Sequence, residues 1–167
     1  AGELFDGWVS AKPFKRLEKK YKPVEPVNIS LEAPDKANAN MMLGLNFPMR
    51  DDNPDYPALA LANFMTGGGF LNSRLAVRIR QKEGLSYGVG CYLGVDAEDE
   101  VANFTAYAIF NPGNAEKLEK AFREELDRVI SGGFTGDEVR EAKSGWLQRR
   151  KMGRAQDNQL ASRLSSN

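Results

Sequence analysis

The sequence has no histidine and a single cysteine, Cys91, in 167 residues. These shortages exclude Ser-His-Asp and Cys-His catalysis within the chain, because both need an imidazole as base. They also exclude a histidine-based zinc site, and one thiol cannot supply the usual alternative. A lone cysteine forms no intrachain disulfide, which says nothing about compartment in a chain this size. Excess charge of either sign is lacking too, since 23 Lys and Arg balance 23 Asp and Glu. No global field therefore draws the chain to nucleic acid or to an anionic membrane. No apolar run approaches the ~20 residues of a membrane span. There is no visible signal peptide, internal repeat or low-complexity segment. The first residue is not Met and residues 161–167 read as a cut helix, so the sequence reads as a piece of a longer protein. A leader upstream would make that protein periplasmic or secreted; without one it is cytoplasmic.

What is present suits one domain with a real core. Residues 1–26 read as an opening segment and extended connector, and residues 27–167 as the core. In the opening segment Leu4, Phe5, Trp8 and Val9 suggest a helix end or turn docked by its aromatics. Pro13, Pro23 and Pro26 keep the connector extended. Its basic run, Arg16 to Lys20, reads as a solvated linker. Val27, Ile29, Leu31 and Ala33 alternate with polar residues and predict a half-buried strand. After a turn at Pro34–Lys36, alternation from Ala39 to Met49 predicts a second strand. Its polar or small opposite face fits helices on one side only. Asp51–Pro57 reads as a turn and helix start, with Asn53 as cap and Pro54 as first helical residue. A calcium loop is the alternative there, but its central Gly and terminal Glu are missing. The helix over 56–66 is apolar nearly all round and predicts burial between layers.

Further on, Asp96–Glu100 reads as a solvated acidic hairpin loop. Val101–Phe110 is a return strand, with Ala102, Phe104, Ala106, Ala108 and Phe110 on one face. Asn114 is the expected cap of a helix that buries Leu118, Ala121, Phe122, Leu126, Val129 and Ile130. Thr135 and Glu138 form a capping box. The last helix buries Val139, Ala142 and Trp146, and its basic face (Gln148–Lys151, Arg154) reads as solvated. The predicted fold is α+β, a mixed or antiparallel sheet with helices packed on one face.

The stretch Gly67–Gly94, GGGFLNSRLAVRIRQKEGLSYGVGCYLG, organises the rest. Gly67, Gly68 and Gly69 end one helix. They lack the Gly-Lys-Ser/Thr ending of a phosphate loop and read as flexible backbone at a tight corner. An amphipathic helix over 71–82 aligns Leu71, Leu75 and Ile79. Gly84 closes it as a left-handed cap. A strand follows, with Leu85, Tyr87, Val89, Cys91 and Leu93 on one face. Gly88, Gly90 and Gly94 mark a bulge or a close backbone approach, and Cys91 reads as a small buried hydrophobe. Arg80 lies in the last helical turn and Tyr87 early in the strand, so the turn between them can bring both to one mouth. Taken singly, Arg80 reads as a cation at a helix C-terminus and Tyr87 as a strand aromatic.

The same stretch resembles the non-catalytic domain of the insulinase/pitrilysin family of zinc peptidases. In that family an Arg and a Tyr seven positions apart reach across a clamshell to the substrate peptide near the zinc. Arg80, Glu83, Leu85 and Tyr87 match that setting, and the likeness extends weakly from about Gly7 onward. The resemblance implies a substrate-binding, metal-free half of a zinc endopeptidase. Zinc would sit in a companion domain with an inverted H-x-x-E-H motif, fused or separate, whose Glu activates the attacking water. Arg80 and Tyr87 would be substrate-binding, Gly67–Gly69 would line the mouth of the chamber, and Glu83 would hold Arg80 or cap locally. No catalytic or metal residue would lie in this chain, which alone would be inactive. Its partners would be the companion domain and a peptide; a dimer is left open. The alternative is a non-catalytic scaffold or processing-complex subunit of the same fold.

Overall fold

The computed structural model describes residue 3 and residues 6–165. Its centre is a three-stranded antiparallel sheet. Strand β1 is Ala39–Phe47, β2 is Ser86–Val95 and β3 is Ala102–Phe110. The order is β1-β3-β2, so the return strand is central. β1 stops where Pro48 removes a backbone donor, short of the expected Met49.

The alternation in β3 sets the layers. Ala106, Ala108 and Phe110 are buried, and the register places Leu43, Met41 and Ala39 opposite them on β1. Small alanines in the central strand let helices approach closely. Leu75 and Ile79 pack there, with Leu118, Ala121 and Phe122 of helix α2 (Ala115–Gly132). The other sheet face leaves Met42, Tyr92 and Tyr107 exposed. The expected α+β fold with helices on one face is what the chain forms.

Local chemistry fixes most boundaries. Helix α1, Tyr56–Asn63, begins at the expected Tyr56, but Asp55 rather than Asn53 stands at its cap and it ends before the expected residue 66. Asn53 instead accepts from the Asp55 N–H at 2.9 Å in the turn before it. Asn111, not Asn114, provides the capping side chain before α2, accepting from Gly113 N–H at 2.9 Å. Helix α3, Gly136–Arg154, opens with the expected Thr135–Glu138 capping box. Helix α4, Asp157–Ser165, follows as a separate element.

Four burial expectations change. No α1 residue is fully buried, although its sequence is apolar nearly all round. Ile130, in the last turn of α2, is exposed. Trp8 and Val9 are exposed rather than docked; Leu4 and Phe5 lie outside the described residues. Residues 27–33 form no strand, and Val27, Ile29 and Leu31 face solvent. Among the described residues nothing pairs with the outer edge of β1, and a half-buried strand needs both a neighbour and a layer beneath it.

Candidate functional site

The site is built on the two glycine-bounded turns flanking the helix that carries Arg80. The first turn follows α1, where Phe64–Gly68 winds as a wider π turn. The Gly69 N–H reaches back five residues to Phe64 O at 2.7 Å. None of the three glycines has a positive φ, so their role is space rather than left-handed backbone. A Cβ at Gly67 would lie 2.5 Å from Cys91 Sγ and 2.6 Å from Cys91 N. A Cβ at Gly69 would lie 2.7 Å from Phe64 O. The triplet is therefore a packed corner set against β2, with Gly67 buried, and not the flexible backbone expected. Arg149 of α3 donates to Gly68 O at 3.3 Å from the other side.

The next helix is π-wound over Ala76–Lys82. Its inner face is anchored by the fully buried Leu75 and Ile79, while Leu71 is exposed. Leu71 lies in a separate 3-10 turn, Phe70–Asn72, so the single helix expected over 71–82 is two elements. The end is as the sequence predicts. Gly84 takes φ +62° and Leu85 N–H donates to Ile79 O at 2.9 Å, which satisfies a terminal carbonyl and reverses the chain into β2.

Two arginines of this helix meet different fates. Arg78 is paired with Glu83 and donates to Glu124 of α2 at 2.8 Å. Glu83 thus holds Arg78, not Arg80. Arg80 is exposed, and among the described residues it has no hydrogen-bond or ion-pair partner. Across the turn, β2 carries a bulge between Ser86 and Gly88. Tyr87 is the residue left over. It does not share the inward face of Val89 and Cys91; it projects to solvent, 66 % exposed. A bulge re-aims a side chain in this way. Ser86 Oγ stabilises the irregularity by donating to Ile109 O at 2.6 Å and accepting from Gly88 N–H at 3.1 Å. Arg80 and Tyr87 are therefore free donors on consecutive elements, although no hydrogen bond joins them.

The glycines of β2 also have a packing reason. A Cβ at Gly90 would sit 3.2 Å from Gly67 O and 3.3 Å from the Tyr107 ring. Cys91 is buried, and burial pushes its thiol up to about 12. A group so rarely ionised is a poor nucleophile.

Sequence reasoning missed two ion-pair systems. Arg74 donates to Glu138 at 2.8 Å and to Gly133 O at 2.9 Å, and stacks over Phe134. The capping-box acid thereby ties α3 to the Arg80 helix, and the Arg74 hydrogen bond holds its carboxyl down to about 2. Arg16 and Lys19, read as a solvated run, bind the Asp96–Glu100 loop. Arg16 donates to both Asp99 oxygens at 2.7 Å. Nothing local marks either pairing, since the partners lie 64 and 83 positions apart.

The donor set does not fit a zinc ion. Among the described residues no group of three or more His, Cys, Asp or Glu is placed to hold a metal. No reaction step is assigned to a metal in this chain.

Residues 1–145 match the family described as the peptidase M16 inactive domain. The chain is 35 % identical over 101 residues to an uncharacterized zinc protease of Streptomyces coelicolor, covering 60 % of this chain and 21 % of that protein. It is 30 % identical over 136 residues to an uncharacterized zinc protease of Mycobacterium leprae, covering 81 % and 30 %. It thus spans less than a third of the length of these relatives. A peptidase M16 inactive domain from Pseudomonas fluorescens superposes with a TM-score of 0.63 at 26 % identity, over 70 % of this chain and 27 % of that one. A protease from Helicobacter pylori gives 0.65 at 21 %, over 78 % and 31 %, a likeness of fold. The match over most of the sequence settles the family: the chain belongs to the peptidase M16 inactive domains, found in zinc-protease-like proteins.

Proposed function

We propose that this chain is the substrate-binding half of a zinc endopeptidase and that Arg80 and Tyr87 complete a site held mainly by a companion domain. The observation that carries this reading is the contrast within one helix. Arg78 is consumed by two glutamates, whereas Arg80 has no partner among the described residues and Tyr87 is turned out by a bulge. Two free donors on a rigid reversal are suited to peptide carbonyl oxygens. They also suit the negative charge that develops on such an oxygen during hydrolysis. The packed Gly67–Gly69 corner beside β2 would line the mouth of the chamber with backbone rather than side chains. Zinc would belong to the companion domain.

The test is chelator-sensitive cleavage of an unstructured peptide by the full parent protein, comparing wild type with Arg80→Ala and Tyr87→Phe. Loss of one such donor is expected to lower the rate about a hundredfold, with unchanged folding. Unaltered cleavage in both variants would remove these residues from the site. Absence of cleavage by a zinc-loaded parent would favour a scaffold.

A further inference from the structure

Between residues 8 and 38 the chain forms neither helix nor strand, yet it is not a free tail. It is pinned at one place onto the loop between β2 and β3. Arg16 grips Asp99 through both guanidinium nitrogens at 2.7 Å, and its Nε lies 2.8 Å from Glu98. The Lys19 backbone N–H donates to the same Asp99 carboxylate at 2.8 Å, and Lys19 Nζ reaches Asp96 at 2.7 Å. Asp96 is itself fixed by the N–H groups of Glu98 and Asp99 at 2.9 and 3.0 Å. Asp99 is 8 % exposed, the least exposed carboxylate of this loop. A two-pronged guanidinium–carboxylate grip plus a backbone donor fixes direction as well as position.

What the pin holds in place is apolar. Trp8, Phe14, Leu17, Val27, Ile29 and Leu31 lie on both sides of it, and none is less than 71 % exposed. Six large apolar side chains so exposed within residues 8–31 exceed the single scattered exposures of an ordinary surface, and such a concentration marks a contact with another macromolecular surface. Burying that apolar surface would be favourable, because burial removes it from water. The sheet and helices of this chain do not cover it. A surface within the same polypeptide would have a millimolar-scale effective concentration, which favours it over a second copy. The chain spans only 21 % and 30 % of its zinc-protease relatives, which contain the additional polypeptide such a surface needs.

We infer that residues 8–33 are an interdomain docking strap. Their apolar side chains lie against an apolar surface of the companion domain, and the Arg16–Asp99 clasp sets the direction in which the strap is presented. The inference rests on the reading that the parent has a companion domain, and is independent of Arg80 and Tyr87. The clasp supplies orientation; Phe14 and Leu17, flanking Arg16, supply the adjoining contact.

Hydrogen exchange over residues 8–33 tests it, measured on the full parent protein and on this 167-residue chain. The strap amides are expected to exchange at least about tenfold more slowly in the parent. Phe14→Ser with Leu17→Ser in the parent should abolish the difference while leaving the β2 and β3 amides unchanged. Asp99→Asn, which keeps the apolar side chains, should reduce the protection in part. Equal exchange in parent and chain overturns the inference. So does protection that grows with the concentration of the 167-residue chain alone, because it assigns the surface to a second copy. If the double variant fails to fold, the wild-type comparison still decides. Strap protection in a parent that cleaves nothing would retain the docking and remove the peptidase reading; cleavage with an unprotected strap would do the reverse.

Discussion

The stretch from Gly67 to Val95 and the stretch from residue 8 to residue 38 are held by different physics. The first is fixed by its immediate neighbours. Its helix buries Leu75 and Ile79, its cap is a glycine at φ +62°, and its corner closes on Cys91 with no room for a side chain. Among the described residues the second has one tether, supplied by a loop about 80 positions away, and its large apolar side chains named above face outward. Local specification makes a rigid platform suited to presenting Arg80 and Tyr87. A single charged tether makes a strap whose remaining contacts must come from elsewhere.

The largest effects should fall in the first region. Ile79 is completely buried, and Ile79→Ala should cost about 2–5 kcal/mol of unfolding free energy in denaturant titration. Gly67→Ala should cost about 1–3 kcal/mol, because the added methyl meets backbone and sulfur that cannot move aside independently. A neutral Gly67→Ala would mean that the corner is looser than its 2.6 Å approach to Cys91 N implies, and would restore the mobile-loop reading.

The same contrast explains what could be read from the sequence. The Gly84 cap, the Thr135–Glu138 box and the β3 alternation are local patterns, and each appears where the sequence places it. The Arg–Tyr spacing pointed to the family now shown by the match over residues 1–145. The failures are of one kind. Residues 27–33 alternate like a strand, but alternation cannot say whether a neighbour will be present. Arg16–Lys20 and Asp96–Glu100 each look like solvated charge, and only the fold brings them together. Helix α1 has a buried composition without a buried position, so composition overstated its packing. The Tyr87 bulge was also invisible to strict period-two reading, although the glycines around it were the available signal.

A smaller effect, and a local one, should follow from Asp99→Asn. It removes the charge that Arg16 grips without disturbing the core, so the strap should become severalfold more sensitive to limited proteolysis near Lys15–Lys20 with little change in Tm. Acid should act in the same direction. The Arg16 hydrogen bond lowers the Asp99 carboxyl, and the Lys19 hydrogen bond lowers that of Asp96. A carboxyl lowered by folding contributes stability above its unfolded pKa, near ~3.9, and loses it as pH falls through the folded value. The clasp should therefore be intact at neutral pH and open only below about pH 4. Release between pH 5 and 7 would show that these carboxylates do not control it.

The smallest effect should come from Phe14→Ser in the isolated 167-residue chain. Phe14 is 90 % exposed, so its ring buries almost nothing that unfolding would expose. Substitution at such a position is expected to move stability by no more than about 0.5 kcal/mol. The same change in the core would cost several times that, which makes Phe14 the sharpest control for the contrast between the two stretches. A loss above about 1 kcal/mol would mean that the strap folds onto its own sheet in solution, against the free edge of β1 or the exposed face of Met42 and Tyr107. The strap would then be part of this domain's core rather than a surface offered to another, because an apolar ring contributes to stability only where water has been removed from it.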